Sequence, residues 1–410
     1  MNRQILFLAV LATLLTRPVL AGGPVYTRFG VGDLLFFGSN RVQGMGISGY
    51  ALTGDGFINL ANPAALAKLS LTRFAGGFEY WSSSLEDNAG SQRFATGRFQ
   101  SLAMGIPVAD SAGISLVVSA TPYSTVDYDV RIVSATGGAQ AEQTLTGTGG
   151  LSTLTIGGSF RPSRDLAVGL QYVYYYGTIH RRLAVDFDDV AFADTEVRTA
   201  AFHKGSGFTL GMTYTGLGSL LGNPSLPLTL GIVFTTPASL SVKEERLLLT
   251  ENTADTTQVR RGTTRLPAGW GLGITYDASH IIVSGDIGVQ HWTSANFFEP
   301  PSVEVRNNLK AGVGIEIPGK RNPVTYWDRV AYRAGFAYTA SYLAINGRGI
   351  DSWAVSGGIA LPIGPDARMS VGLTAGKRGT MNLGLSQETF FKLSLSIDAS
   401  EAWFITIEED

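Results

Sequence analysis

The stretch with the most immediate chemical meaning is Gly44-Met45-Gly46-Ile47-Ser48-Gly49, which matches the dinucleotide fingerprint G-x-G-x-x-G. That chemistry needs a strand before the first glycine and a helix after the last, so that a pyrophosphate meets a helix N-terminus. Neither pattern flanks these residues, and they read instead as turns in a tightly folded segment. The four histidines, His180, His203, His280 and His291, show no H-x-x-x-H spacing, and no G-x-S-x-G occurs. Cysteine is absent, which excludes disulfides, thiol chemistry and Cys-zinc sites. No catalytic residue, metal site or cofactor is therefore assigned, and an enzyme is not expected. What remains is a set of charges at regular spacing: Arg306, Lys310, Arg329, Arg333, Arg368 and Lys392, with Glu79, Asp286, Glu304, Glu316 and Asp398. Cations of this kind hold a ligand carboxylate by charge-assisted hydrogen bonds, or they pair with the acids and hold a plug in place. Which of the two depends on the elements that carry them.

Those elements alternate with a period of two. Leu309, Ala311, Val313 and Ile315 share one face of residues 309–316, while Lys310, Gly312, Gly314 and Glu316 share the other. Residues 368–375 and 391–398 repeat the pattern, with Val371, Leu373, Leu393 and Leu395 on the apolar face and Arg368 and Lys392 on the polar one. A membrane barrel alternates lipid-facing apolar residues with small or polar residues facing the lumen. A soluble β-sandwich would put an apolar face inward and a strongly polar one outward; here the second face is largely Gly, Ser and Thr. The six cations above are accordingly placed facing a lumen.

Strands are expected near 70–82, 97–108, 112–124, 151–161, 166–179, 203–215, 226–237, 264–276, 280–292, 303–317, 328–342, 351–361, 367–378 and 387–400. That makes about fourteen, an even number, as single-chain bacterial barrels have. Short links fall after even strands, at Ala109–Ser111, Pro162–Asp165, Asp277–Ser279 and Pro362–Asp366. Long links fall after odd strands, near 125–150, 180–202 and 238–263, while 216–225 and 318–327 exceed a tight turn. Short periplasmic turns alternating with longer outer loops place both ends of the barrel in the periplasm. Tyr80-Trp81, Tyr174-Tyr175-Tyr176, His291-Trp292 and Tyr326-Trp327 sit near strand ends, where interfacial aromatic girdles are expected.

Composition agrees. Charged residues are 16% against a usual ~25%, and Gly is 51 of 410 residues against a usual ~7%. After the first residues no apolar run reaches the ~18 residues of a membrane helix. The net charge of −2 gives no sign of nucleic-acid binding. Residues 1–21, with Arg3, the apolar stretch Ile5–Leu15 and Val19-Leu20-Ala21 before Gly22, read as a signal peptide. Residues 22–69 do not alternate, carry a short helix at Pro63–Leu69 capped by Asn62, and read as a plug inside a barrel formed by 70–410.

Here a resemblance becomes specific. Tyr26-Thr27-Arg28-Phe29-Gly30-Val31-Gly32-Asp33-Leu34, then Gly44-Met45-Gly46, Asp55 and Asn62-Pro63-Ala64, resemble the N-terminal hatch of FadL/TodX-type outer-membrane transport proteins, most closely the Bacteroidetes and Chlorobi-like versions. The resemblance implies a fourteen-stranded barrel of the Gram-negative outer membrane, plugged by a hatch that includes Gly44, Gly46, Asn62, Pro63 and Ala64. It implies passive transport of small hydrophobic molecules such as long-chain fatty acids or aromatic hydrocarbons, released sideways through a gap in the wall. Outer-membrane lipids, the hydrophobic ligand and the outer-membrane assembly machinery are then the expected partners. Barrels of similar layout also serve as shuttle or anchor proteins of type IX secretion, which is the alternative. The chain departs from many outer-membrane barrels in its end, where Trp403-Phe404 lies several residues inside Asp410.

Overall fold

The computed structural model describes residues 25–36, 39–54, 56–88, 90–136, 139–189, 192–250, 253–320, 322–364 and 366–401. The expected signal peptide, Asp55 and Trp403-Phe404 lie outside them. Fourteen antiparallel strands close into one barrel. They are β1 Thr72–Glu86, β2 Ser91–Ala109, β3 Ile114–Pro122 with Ser124–Thr136, β4 Ala139–Phe160, β5 Leu166–Phe187, β6 Thr195–Tyr214 and β7 Leu228–Thr235 with Ala238–Thr250. They continue as β8 Thr253–Leu266 with Gly269–Asp277, β9 Ile282–Gln290, β10 Asn308–Ile317, β11 Ala331–Ala340, β12 Ser352–Pro362, β13 Ala367–Gly379 and β14 Gln387–Glu401. Closure is made by β14 on β1, in register from Thr72↔Glu401 to Glu86↔Gln387. Closure pairs the strand edges around the wall apart from one stretch between β2 and β3, and a barrel so closed can cross a bilayer without helices.

The alternation maps onto the wall as expected. Val313, Leu373 and Leu395 are exposed on the outside, whereas Lys310, Glu316 and Ser394 are buried on the inside. Replacing Val313, Leu373 or Leu395 by Arg is expected to destabilise the inserted barrel by about 2–4 kcal/mol near the bilayer midplane, with Ser394→Ala, one residue from Leu395 on the inward face, far milder. Refolding into lipid vesicles across a denaturant series measures it; equal damage from both faces would reverse the facing assigned here.

Several boundaries differ from the alternation. The stretches 125–150, 180–202 and 238–263 are largely ladder rather than loop: β3 pairs with β4 from Val126↔Gly149 to Thr136↔Ala139, and β7 pairs with β8 up to Thr250↔Thr253. Beyond the membrane both faces of a hairpin meet water, so the apolar period stops while the hydrogen bonds continue. Three strands bend where Pro122, Pro237 and Pro267 withhold an N–H from the ladder. The connection near 318–327 is closed by a turn, Tyr326–Arg329, with a capping box between Thr325 and Asp328. Lys320 and the Thr325 and Val324 N–H groups hold the Asp328 carboxyl well below the ordinary carboxylate range. The aromatic girdle is also differently composed. Trp81, Tyr175 and Trp292 are buried inside, and Phe78, Phe208, Trp270, Phe336 and Trp353 face outward.

Candidate functional site

The lumen is occupied by the N-terminal segment, and the inward side chains are spent largely on it. From Val25 the segment runs at the end of the barrel where the long hairpins rise. A short helix, Asn40–Gly44, follows with Ser39 as its N-cap, and the turn Pro63–Lys68 lies near the start of β1. Asn62 accepts the Ala64 N–H at 3.0 Å and donates to Tyr50 O at 2.7 Å and Met212 O at 3.1 Å. Glycines make the close approach possible. A Cβ on Gly312 would stand 1.9 Å from Gly46 O, and one on Gly211 would stand 2.1 Å from Asn62 Oδ1. Gly46 itself takes φ +66°, so the segment turns there against the wall.

Four polar anchors tie the segment to strands. Glu316 of β10 accepts Arg41 Nε at 2.8 Å and Nη2 at 2.9 Å, and Arg333 Nε at 2.7 Å. Asp286 of β9 accepts the Gly49 N–H and, at 2.7 Å, the Tyr50 N–H. Arg378 of β13 joins Asp33 to Glu388, the latter at 2.8 Å. Asn40 bridges Gln100 Nε2 at 2.9 Å and Ser370 O at 3.2 Å.

Between β2 and β3 the wall is broken. β2 pairs with the lower arm of β3 from Ala109↔Ile114 to Leu102↔Ala120, and there the ladder stops. Beyond it Ser91–Ser101 is paired to β1, and the upper arm Ser124–Thr136 to β4. Among the described residues no pairing joins Ser91–Ser101 to that upper arm. The bend at Pro122-Tyr123 steers β3 away. An open strand edge is costly in lipid, and the N-terminal segment covers this one. Asp33 and Leu34 pair with Thr125 and Ser124, Leu35 N donates to Tyr123 O at 2.9 Å, and Thr27 Oγ1 donates to Asp127 O at 2.9 Å.

Two cavities flank Leu35, Phe36 and Ile47. One, of about 150 Å³, is lined by Asp33, Trp81, Arg378, Phe390 and Lys392. The other, of about 220 Å³, is lined by Tyr50, Tyr123, Gln171, Tyr175 and Lys310. Trp292 and Tyr342, both buried, stack at 4.4 Å in one cluster with Phe29, Val31 and Leu343, and the Tyr342 hydroxyl donates to Gly32 O at 2.7 Å.

The six expected cations therefore separate. Lys310 and Lys392 face the cavities; Arg333 is spent on Glu316. Lys310 lies 4.5 Å from the Tyr50 ring centre, with no carboxylate of the described residues within 4.0 Å. Lys392 lies 4.5 Å from the Trp81 ring centre and 4.0 Å from Glu79 Oε1. Arg306 and Arg329 depart from the expected lumen position, while Arg368 keeps its inward parity, across the ladder from Asp398, at the exposed end of its strand. Arg306 precedes β10, in an outer loop, and pairs with Asp351; Arg329 sits on the exposed turn before β11; Arg368 is exposed at the rim of β13. The first two were displaced because their strands start later than the alternation implied. Glu304 is likewise exposed in that loop. Arg98, over Trp81 at 4.1 Å, was not expected, because the bulge that leaves Gln100 unpaired reverses the alternation of β2. Arg378 shares the parity of Arg368 and was legible from it.

Fold and lumen together define a closed fourteen-stranded β-barrel with the fold of FadL-type channels. The chain belongs to the BamG family, whose profile matches residues 1–408. Among solved structures it is similar to the CymD monoaromatic hydrocarbon channel, at 16% identity, TM-score 0.61, covering 91% of this chain and 100% of that one. A Pseudomonas aeruginosa FadL homologue gives 14% identity and TM-score 0.62 over 90% and 99% of the two chains. The Pseudomonas putida toluene transporter TodX gives 14% and 0.60 over 91% and 100%. Of these, CymD is a channel and TodX a transporter, and neither is an enzyme. No curated protein sequence matches.

Proposed function

We propose that the protein is a passive outer-membrane transporter for small hydrophobic molecules such as long-chain fatty acids or aromatic hydrocarbons, gated by an N-terminal hatch. In this reading residues 1–21 are a signal peptide, 22–69 the hatch and 70–410 the barrel. The observation that carries it is the break between β2 and β3, whose free edge is covered from inside by Asp33-Leu34. A solute in either cavity is separated from that break by the segment that must move to open it. Gly44, Gly46, Asn62, Pro63 and Ala64 let the hatch pack tightly enough to seal. The names of the similar structures support a hydrophobic cargo, and the cavity sizes support a small one. The Bacteroidetes- and Chlorobi-like placement rests on residues 26–64 alone.

Lys310 is the best-placed group for a ligand's polar end, since it is buried and has no carboxylate of the described residues within 4.0 Å, its nearest acidic neighbour on the inward face, Asp286, being spent on the Gly49 and Tyr50 N–H groups. A charge-assisted hydrogen bond contributes roughly 1.5–3 kcal/mol. Lys310→Met is therefore expected to cut uptake of a labelled long-chain carboxylate about tenfold and to leave toluene uptake unchanged. The assay is uptake by cells lacking their own hydrophobic-compound transporters, with and without the intact protein. If the intact protein raises uptake of neither compound, the transport reading fails.

A second reading, a type IX secretion-associated shuttle or anchor, draws on the tall hairpins β3–β4, β5–β6 and β7–β8. It predicts no uptake and co-purification of a protein partner.

A further inference from the structure

The outward face of β5–β8, just above the lipid-facing apolar band, carries a concentration of cations that the lumen chemistry does not use. Register fixes their arrangement. One row reads Tyr176, Lys204, Ser241 and Thr263; the next, farther from the membrane, reads Thr178, Phe202, Lys243 and Arg261; the row below reads Tyr174, Ser206, Ser239 and Arg265. No acidic residue occurs in these three rows. Lys204, Arg261 and Arg265 are exposed, and among the described residues none has a carboxylate within 4.0 Å. Lys243 pairs with Glu245 at 2.6 Å yet stands directly opposite Arg261. Like charges facing each other across a ladder repel, and an anion between them would relieve that. Beneath lie the exposed Phe208, Phe234, Trp270 and Leu272. Farther out on the same hairpins Arg182 and Arg198 also stand opposite each other, but they share Glu196; on other strands Arg93 of β2 and Lys377 of β13 stand singly.

The partner that fits is an anion attached to acyl chains. Its charge lies level with Lys204, Lys243, Arg261 and Arg265, and its chains run down the apolar band. We infer that this face binds the phosphorylated head group of the outer-leaflet glycolipid, with Arg261 and Arg265 gripping phosphate oxygens and Lys204 neutralising the second charge. Such a lipid would hold the tall half of the barrel upright and fix how far the hairpins project.

The test uses the full-length protein in nanodiscs and diphosphoryl lipid A as probe, with retained lipid read by native mass spectrometry. Intact protein should retain diphosphoryl lipid A at least tenfold better than the same lipid with its phosphates removed. Excess inorganic phosphate should not displace it, since the acyl chains contribute. Lys204→Gln/Arg261→Gln/Arg265→Gln should lose that preference, while Arg93→Gln/Lys377→Gln should keep it; heat-modifiable gel mobility checks that each barrel is folded. Equal retention of the phosphorylated and dephosphorylated lipids by intact protein, which needs no variant, overturns the inference. So does an unchanged preference in the triple variant, or displacement by free phosphate.

Discussion

Replacing Glu316 by Gln is expected to release the middle of the hatch while leaving the barrel folded. Glu316 is the shared acceptor of Arg41 from the hatch and Arg333 from β11, and all three side chains are buried or nearly so. Removing one member of a buried charge pair typically costs about 3–5 kcal/mol, because the remaining charge has no water to turn to. Here two guanidinium groups are left. An undocked hatch puts Arg41 into water, so most of the cost falls on the docked state. At 1.4 kcal/mol per tenfold the docking equilibrium should move about 10²- to 10³-fold. Planar-bilayer recordings should show openings absent from the intact protein, and amides of residues 39–50 should exchange faster. Arg41→Met placed on the Glu316→Gln background should recover part of the loss, since the two sites are coupled. An unchanged conductance together with unchanged exchange would mean that this ion pair does not hold the hatch.

The second large effect is expected from Arg378→Met. Arg378 lies between Asp33 on the hatch strand and Glu388 on β14, and Glu388 is fully buried. Without the guanidinium two carboxylates face each other in the lumen, again at a cost of about 3–5 kcal/mol. The strain is placed where Asp33-Leu34 covers the free edge of β3, so the break in the wall should open rather than the middle of the plug. The natural absence of cysteine gives a clean probe: Leu34→Cys introduces the chain's single thiol. Its labelling by a membrane-soluble thiol reagent should rise tenfold or more in the Arg378→Met background. Labelling at the intact rate would separate Asp33 from control of the break.

The wall was legible because lipid imposes one rule on every strand. Val313, Leu373 and Leu395 could be placed outside, and Lys310 and Lys392 inside, from parity alone. The same rule lapsed where lipid ends. The hairpins above the membrane kept their hydrogen bonds without an apolar face, so 125–150 and 238–263 read as loops. It lapsed again at the Gln100 bulge, which hid Arg98. The partners of the lumen charges were not legible at all, because Asp33 and Arg41 sit in a segment with no period, and only tertiary contact assigns them to Arg378 and Glu316. The glycines were counted but not understood. Gly211 and Gly312 leave room for the backbone at Asn62 and Gly46, a requirement set by the opposite surface rather than by their own strands. Trp292, an expected girdle residue, is instead buried against Tyr342, since a loop residue after β9 obeys no strand parity.

In the proposed transport function, residues 22–69 seal the barrel and control passage past β3. Deleting Gly22–Ser48 tests this most directly, because it removes the cover of the break and the Arg41 and Asp33 anchors in one step. The variant should fold and insert, conduct ions in planar bilayers where the intact protein does not, and take up long-chain carboxylates and toluene alike without selectivity. A deletion variant that folds, conducts no more than the intact protein and still takes up its ligand normally would contradict the hatch.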